Sequence, residues 1–228
     1  MPAWFEAHSL TDTTARQDLQ TAGIEESVGY VRRVLEEERE KVGCRPERLV
    51  LGGISQGGAI GIWTLLCEGD LGRGPGGFVG SSTWVPFGDN LERILTSSGS
   101  GSESTVSSGV VVDGHLGLDN DHDSHTHDHT QIQTATTSTY DPFVRGLLAS
   151  GHEKQTGYPP GIPVLLGHGV DDAYVDVELG RQAARILSKA GHIVDRREYS
   201  GAEQEGHWFQ VPDQMDHVYK FLRGFEER

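Results

Sequence analysis

The chain has 228 residues, 35% of them hydrophobic, enough to bury one sizeable core, and nothing in it asks for a second folded domain. A net charge of −15 argues against nucleic acid or an anionic membrane surface as partner, because both select basic patches. No apolar run approaches the ~20 residues of a membrane-spanning helix. The polar start Met1-Pro-Ala-Trp-Phe-Glu6 lacks the regions of a signal peptide, and Cys44 and Cys67 make no framework of bridges. Together these features predict a cytoplasmic protein.

Ile24, Val28, Val31 and Leu35 recur at helical spacing up to a stop at Gly43, which predicts a helix packed on a sheet. Leu49-Val50-Leu51 predicts a buried strand, Gly53 and Gly57 bracket Ser55 in a turn, and Ala59 to Leu66 predicts a mostly buried helix. Gly77 to Gly80 is the next short strand. Between about Thr96 and Thr139 the pattern fails in polar runs such as Asp-Asn-Asp-His-Asp-Ser-His-Thr-His-Asp-His, which predicts a disordered insertion. Its histidines His115, His122, His125, His127 and His129 stand among aspartates, a set that could loosely hold zinc, nickel or copper; the plainer reading is a solvated low-complexity tract.

Ile162 to Leu166 predicts a second buried strand, ending in Gly167-His-Gly-Val-Asp-Asp172. Leu179, Ala183, Ile186 and Ala190 form a helical seam closed by Gly191. Ile193 to Tyr199 alternates as a strand does, and Met215, Val218, Leu222 and Phe225 form a last helical seam begun by Pro212-Asp213. Strand and helix alternate in turn, as an α/β fold with a mostly parallel sheet flanked by helices requires. The expected organisation is one domain over residues 1–228 with an insertion at about 96–139.

The chemistry points to Ser55. Gly53-Ile-Ser-Gln-Gly57 after an apolar run and before a helical pattern is the strand-turn-helix setting in which a serine hydroxyl is exposed as a nucleophile. A glycine-rich chain makes this pattern easily by chance, so the partners matter. A serine needs a base to take its proton, and His207, in the turn-rich stretch after the Ile193–Tyr199 strand, is the candidate. Asp172, after the strand before it, would orient that imidazole; Asp171 and Asp176 compete for the acid role, and His168 for the base, although its place at the end of a strand suggests a structural imidazole hydrogen-bonded near the site and chain order favours His207. The order Ser, Asp, His, each after its own strand, is that of the α/β-hydrolases. The backbone N–H of Gln56 would donate to the developing oxyanion, while the identity of its side chain carries little information. His8, His152, His192 and His217 are expected at the surface.

With these residues in place the chain resembles the phospholipase/carboxylesterase group that includes the acyl-protein thioesterases. Met1-Pro-Ala-Trp-Phe-Glu6 resembles the family's Trp-Phe segment, Gly52-Gly-Ile-Ser-Gln-Gly-Gly58 its nucleophile elbow, and Gly80-Ser-Ser-Thr-Trp-Val-Pro86 a strand ending in a pocket-wall tryptophan. His168-Gly-Val-Asp-Asp-Ala-Tyr-Val175 matches its acid-bearing turn, a register that places the acid on Asp172, and Gly206-His-Trp208 its histidine loop. The family proline after Val175 is replaced by Asp176.

The resemblance implies an α/β-hydrolase that cleaves carboxylic esters or thioesters through Ser55, Asp172 and His207, with no metal or organic cofactor; it also puts Trp4 and Trp84 at the substrate, whereas on sequence alone they are core aromatics. It implies an acylated protein, a small ester or a lysolipid as substrate. It also implies that the family's first strands, with the neighbour of the nucleophile strand and a second oxyanion N–H, are missing ahead of Trp4, which would leave Leu49-Val50-Leu51 an apolar edge strand with unpaired backbone groups. Such a truncated chain would fold poorly and turn over weakly, since one lost oxyanion donor costs about 10²–10³ in rate. The alternative is a catalytically impaired hydrolase remnant, or an incomplete coding sequence, acting if at all as a binding module.

Overall fold

The computed structural model describes residues 3–43, 45–67, 74–99, 138–150 and 161–226. Within them, four strands form one parallel sheet in the order β1-β2-β3-β4: β1 Val50–Ile54, β2 Gly77–Ser81, β3 Pro163–Gly169 and β4 Ile193–Tyr199. Six α-helices accompany them: α1 Thr21–Lys41, α2 Ser55–Cys67, α3 Gly88–Gly99, α4 Asp141–Ala149, α5 Val177–Lys189 and α6 Asp213–Glu226. Every connection runs strand to helix to strand, so all four strands end on the same rim of the sheet, where open parallel sheets hold their ligands.

Successive side chains of a strand point to opposite faces, and the two faces differ here. Phe78 points to α2, where a Cβ on Gly61 would stand 2.5 Å from its ring; the preceding Gly77 faces α6, where a Cβ would stand 2.4 Å from the Phe225 ring. In β3, Gly167 faces Gln214 of α6 and His168 faces Gly180 of α5. The α2 and α5 side is layered further, with α1 and α4 packed on α2 and α3 packed on α5. It holds the core: Ile24, Ile60, Ile62, Trp63, Phe78, Leu91, Val144, Val164, Ile186 and Leu187. An apolar helix buried all round, as α2 is from Gly58 to Cys67, needs such a second layer.

Several expectations are corrected. The Leu49–Leu51 run is not a buried strand: β1 begins at Val50 and is half-buried or exposed along its length, because among the described residues it pairs with β2 alone and forms the sheet edge. The helical pattern does not fail at Thr96. Helix α3 continues to Gly99, and the Thr96 and Ser97 hydroxyls donate to the carbonyls of Glu92 and Arg93 four residues back, which lets polar residues extend a helix end. The rest of the expected insertion, including His115, His122, His125, His127 and His129, lies outside the described residues, as do Cys44 and His152. Among the described residues no group of three or more His, Cys, Asp or Glu side chains is placed to hold an ion. No described helix is long and apolar enough to cross a membrane.

Where α3 gives way and α4 begins, the buried carboxylate of Asp141 accepts from Asn90 Nδ2 at 2.7 Å and from Arg93 Nη2 at 2.6 Å. Burial pushes this carboxyl up, but the Asn90 amide and the Arg93 guanidinium outweigh it and hold it below the ordinary aspartate value.

Candidate active site

Ser55 is the first residue of α2, directly after the carboxyl end of β1. Its φ of +54° is a left-handed conformation that a non-glycine residue adopts at a cost of about 1–3 kcal/mol and that functional turns collect. The turn is tight enough to dictate its neighbour: a Cβ on Gly53 would lie 2.5 Å from the backbone of Gly57 and Gly58, so only glycine lets strand and helix approach this closely. From the loop just after β2, Thr83 Oγ1 donates to the Ser55 carbonyl at 2.9 Å. The N–H of Gln56 lies in the first turn of α2, where backbone donors have no intrahelical acceptor.

Asp172 and His207 meet on the same rim, from the loops after β3 and β4. Both carboxylate oxygens of Asp172 lie within hydrogen-bond distance of His207 Nδ1, at 2.9 and 3.0 Å. The Asp172 side chain is 0% exposed, and its Oδ1 also accepts the N–H groups of Tyr174 and Val175 at 2.9 and 3.0 Å. Burial opposes its ionisation, yet the Val175 amide, the His207 ring and the Tyr174 amide together hold it below the ordinary aspartate value. A carboxylate held ionised against Nδ1 leaves Nε2 as the nitrogen able to take a proton. Tyr174 packs edge-on against the His207 ring at 5.3 Å. Among the described residues no hydrogen bond joins the Ser55 hydroxyl to His207; such contacts are often long before substrate binds.

The rival assignments sort themselves by their contacts. Asp171 Oδ2 accepts the Gly201 N–H at 2.8 Å and Ala173 N–H donates to the Glu205 carbonyl at 3.0 Å, so both bonds lace the acid loop to the histidine loop. Asp176 is the N-cap of α5, accepting the Glu178 N–H at 2.7 Å. His168 is buried one step behind the acid: its Nε2 lies 2.9 Å from the Val175 carbonyl and 3.5 Å from Asp172 Oδ2. Burial lowers its pKa, so it stands as a neutral ring supporting the turn.

Trp4 and Trp84 do not share one environment. Trp4 is 41% exposed, with its indole Nε1 3.5 Å from where a Cβ on Gly57 would be. Trp84, expected at the substrate with it, is 2% exposed and belongs to the core, edge-on to Phe5 at 6.0 Å. His192, expected at the surface, has its Nδ1 buried, and burial lowers its pKa. The support from Thr83 escaped the sequence, although it lies inside a segment that carries a motif, whereas the structural role of His168 is the one its place at the end of a strand suggests.

A family profile described as Phospholipase/Carboxylesterase matches residues 1–102. Acyl-protein thioesterase 1 of Gibberella zeae is 27% identical over 227 residues, covering 98% of this chain and 68% of that protein. Acyl-protein thioesterase 1 of Yarrowia lipolytica is 39% identical over 92 residues, 40% of this chain and 37% of that one. Among solved structures, Arabidopsis thaliana SOBER1 superposes with a TM-score of 0.58 at 19% identity, covering 99% of this chain and 74% of its own. Zea mays acyl-protein thioesterase 2 gives 0.54 at 21%, covering 98% and 72%. The fold agrees with theirs, and the sequence matches run through the elbow that carries Ser55: over residues 1–102 the chain is similar to the phospholipase/carboxylesterase family, and its fold is that of these α/β-hydrolase structures.

Proposed function

We propose that this chain is a cytoplasmic serine hydrolase that cleaves carboxylic esters or thioesters, an acylated protein or a lysolipid being the substrate class, through Ser55, His207 and Asp172. The observation that carries the reading is the pair of Asp172 and His207, a buried ionised carboxylate on Nδ1, on the rim where β1 delivers a strained serine. Ser55 Oγ attacks the carbonyl carbon as His207 Nε2 takes its proton, and the negative charge moves to the carbonyl oxygen, where the Gln56 N–H donates. The bond to sulfur or oxygen breaks, the proton on His207 goes to the leaving thiolate or alkoxide, and an acyl-serine remains. Water then repeats the sequence, releasing the carboxylic acid and restoring the serine. Asp172 holds the tautomer and stabilises the imidazolium in both halves.

A fluorophosphonate probe tests this directly. Labelling at Ser55 should be lost in Ser55→Ala and should fall by on the order of 10⁴ or more in His207→Ala. The half-buried edge strand β1 favours one second reading, a folded but impaired remnant that binds without turning over. A chain that is folded and monomeric yet unlabelled would replace the first reading by that one.

A further inference from the structure

The side chain of Gln56 is engaged on both sides of one short segment. Its Oε1 accepts the Trp4 N–H at 3.3 Å, and its Nε2 donates to the Phe5 carbonyl at 3.2 Å. A carboxamide paired in this way imitates a strand partner, fixing both the position and the direction of the Trp4-Phe5 backbone. Other contacts hold the same two residues from the body of the domain. Ser27 Oγ donates to the Trp4 carbonyl at 2.5 Å, the Phe5 ring is buried against Trp84, and a Cβ on Gly23 would come within 2.9 Å of Phe5. Gln56 supplies the contact that comes from the elbow itself, and the segment it holds carries the exposed Trp4 indole to Gly57, two residues after Ser55.

We propose that the Gln56 side chain is a positioning residue that fixes Trp4 as one wall of the acyl-chain site, so that one residue serves the oxyanion with its backbone and sets chain-length preference with its carboxamide. The proposal rests on the serine-hydrolase reading above. An indole held against the elbow offers a flat apolar surface to the methylenes of an acyl chain beyond the reacting carbonyl. A short acyl group does not reach that surface. Loosening the indole therefore weakens long substrates more than short ones.

The test compares p-nitrophenyl acetate with p-nitrophenyl octanoate. In Gln56→Met, which keeps the bulk and loses both hydrogen bonds, and in Gln56→Ala, the octanoyl-to-acetyl ratio of kcat/KM should fall about tenfold, the size of a modest apolar pocket contact. Trp4→Ala should lower the ratio to the same level, and the double variant Trp4→Ala/Gln56→Met should fall no further, because both act on one wall. An unchanged ratio in Gln56→Met, or additive losses in the double variant, overturns the proposal. Acrylamide quenching in a Trp208→Phe background keeps it distinct from the catalytic reading. Gln56→Met should make Trp4 more quenchable even where the chain fails to label, and unchanged quenching overturns the clamp whatever the enzyme does.

Discussion

On one face of the sheet α2 is buried at every residue from Gly58 to Cys67, whereas on the other α6 buries Gln214 alone. The apolar content is not the difference. Helix α6 carries Met215, Leu222 and Phe225, but Met215 and Leu222 are 43% and 41% exposed, and a groove of about 540 Å³ bounded by Arg48, Val50, Leu222, Phe225 and Glu226 opens between α6 and the edge strand. What differs is the second layer: α1, α3 and α4 close over α2 and α5 on the first face, and among the described residues α6 covers the second by itself. A large aliphatic side chain contributes about 1.5–3 kcal/mol only when fully removed from water, so the α2 face carries most of the stability, and the anchor of α6 is polar. Gln214 Nε2 donates to the buried Ser81 hydroxyl at 2.8 Å, and its Oε1 accepts the Gln210 N–H at 3.0 Å.

The contrast can be broken by substitution. Phe78→Ala, which empties a fully buried site beneath α2, should cost about 3–5 kcal/mol in urea unfolding.

A smaller effect comes from the titratable group on the same face. Burial lowers the pKa of His168, so as pH falls below the ordinary value of about 6.5 the unfolded chain binds a proton that the folded chain refuses, and stability is lost as pH falls, by at most about 1.4 kcal/mol per pH unit for one proton. Asp172, with its pKa lowered, adds its own loss only at more acid pH, below the ordinary aspartate range. His168→Gln should make the unfolding midpoint fall less steeply between pH 7.5 and 5.5, leaving the share of His192, whose pKa burial also lowers; an unchanged slope would remove His168 as a source.

The smallest effect belongs to α6. Leu222→Ala should change stability by about 0.5 kcal/mol or less, as for an exposed site. A cost comparable to that of Phe78→Ala would mean that this face is covered in solution, and the contrast between the faces would fail.

Much of this was legible because periodicity reports which residues share a face. The seams of α1 and α5 pack as their spacing predicts, and the loops after β3 and β4 bring Asp172 and His207 into contact. Periodicity does not report whether a partner covers the face, which is why the α6 seam read as core and stands largely open. A three-residue apolar run by itself reads as a buried strand, and only the absent neighbour that the resemblance implies makes it an edge, since burial depends on strands distant in sequence. His192 reads as a surface residue for that reason, whereas Trp84 reads as a core aromatic from the residues alone and is placed at the substrate only by the resemblance. Gln56 was undervalued because a side chain's role lies in its partners, here residues 4 and 5, fifty positions away.

The bonds from Asn90 and Arg93 to Asp141 have a further consequence. They tie α3 to α4 across residues 100–137, so the two helices are registered by the domain rather than by the length of chain between them. The placement of α4 against α3 is therefore set by three side chains of the described residues, and replacing Asp141 would release both bonds at once.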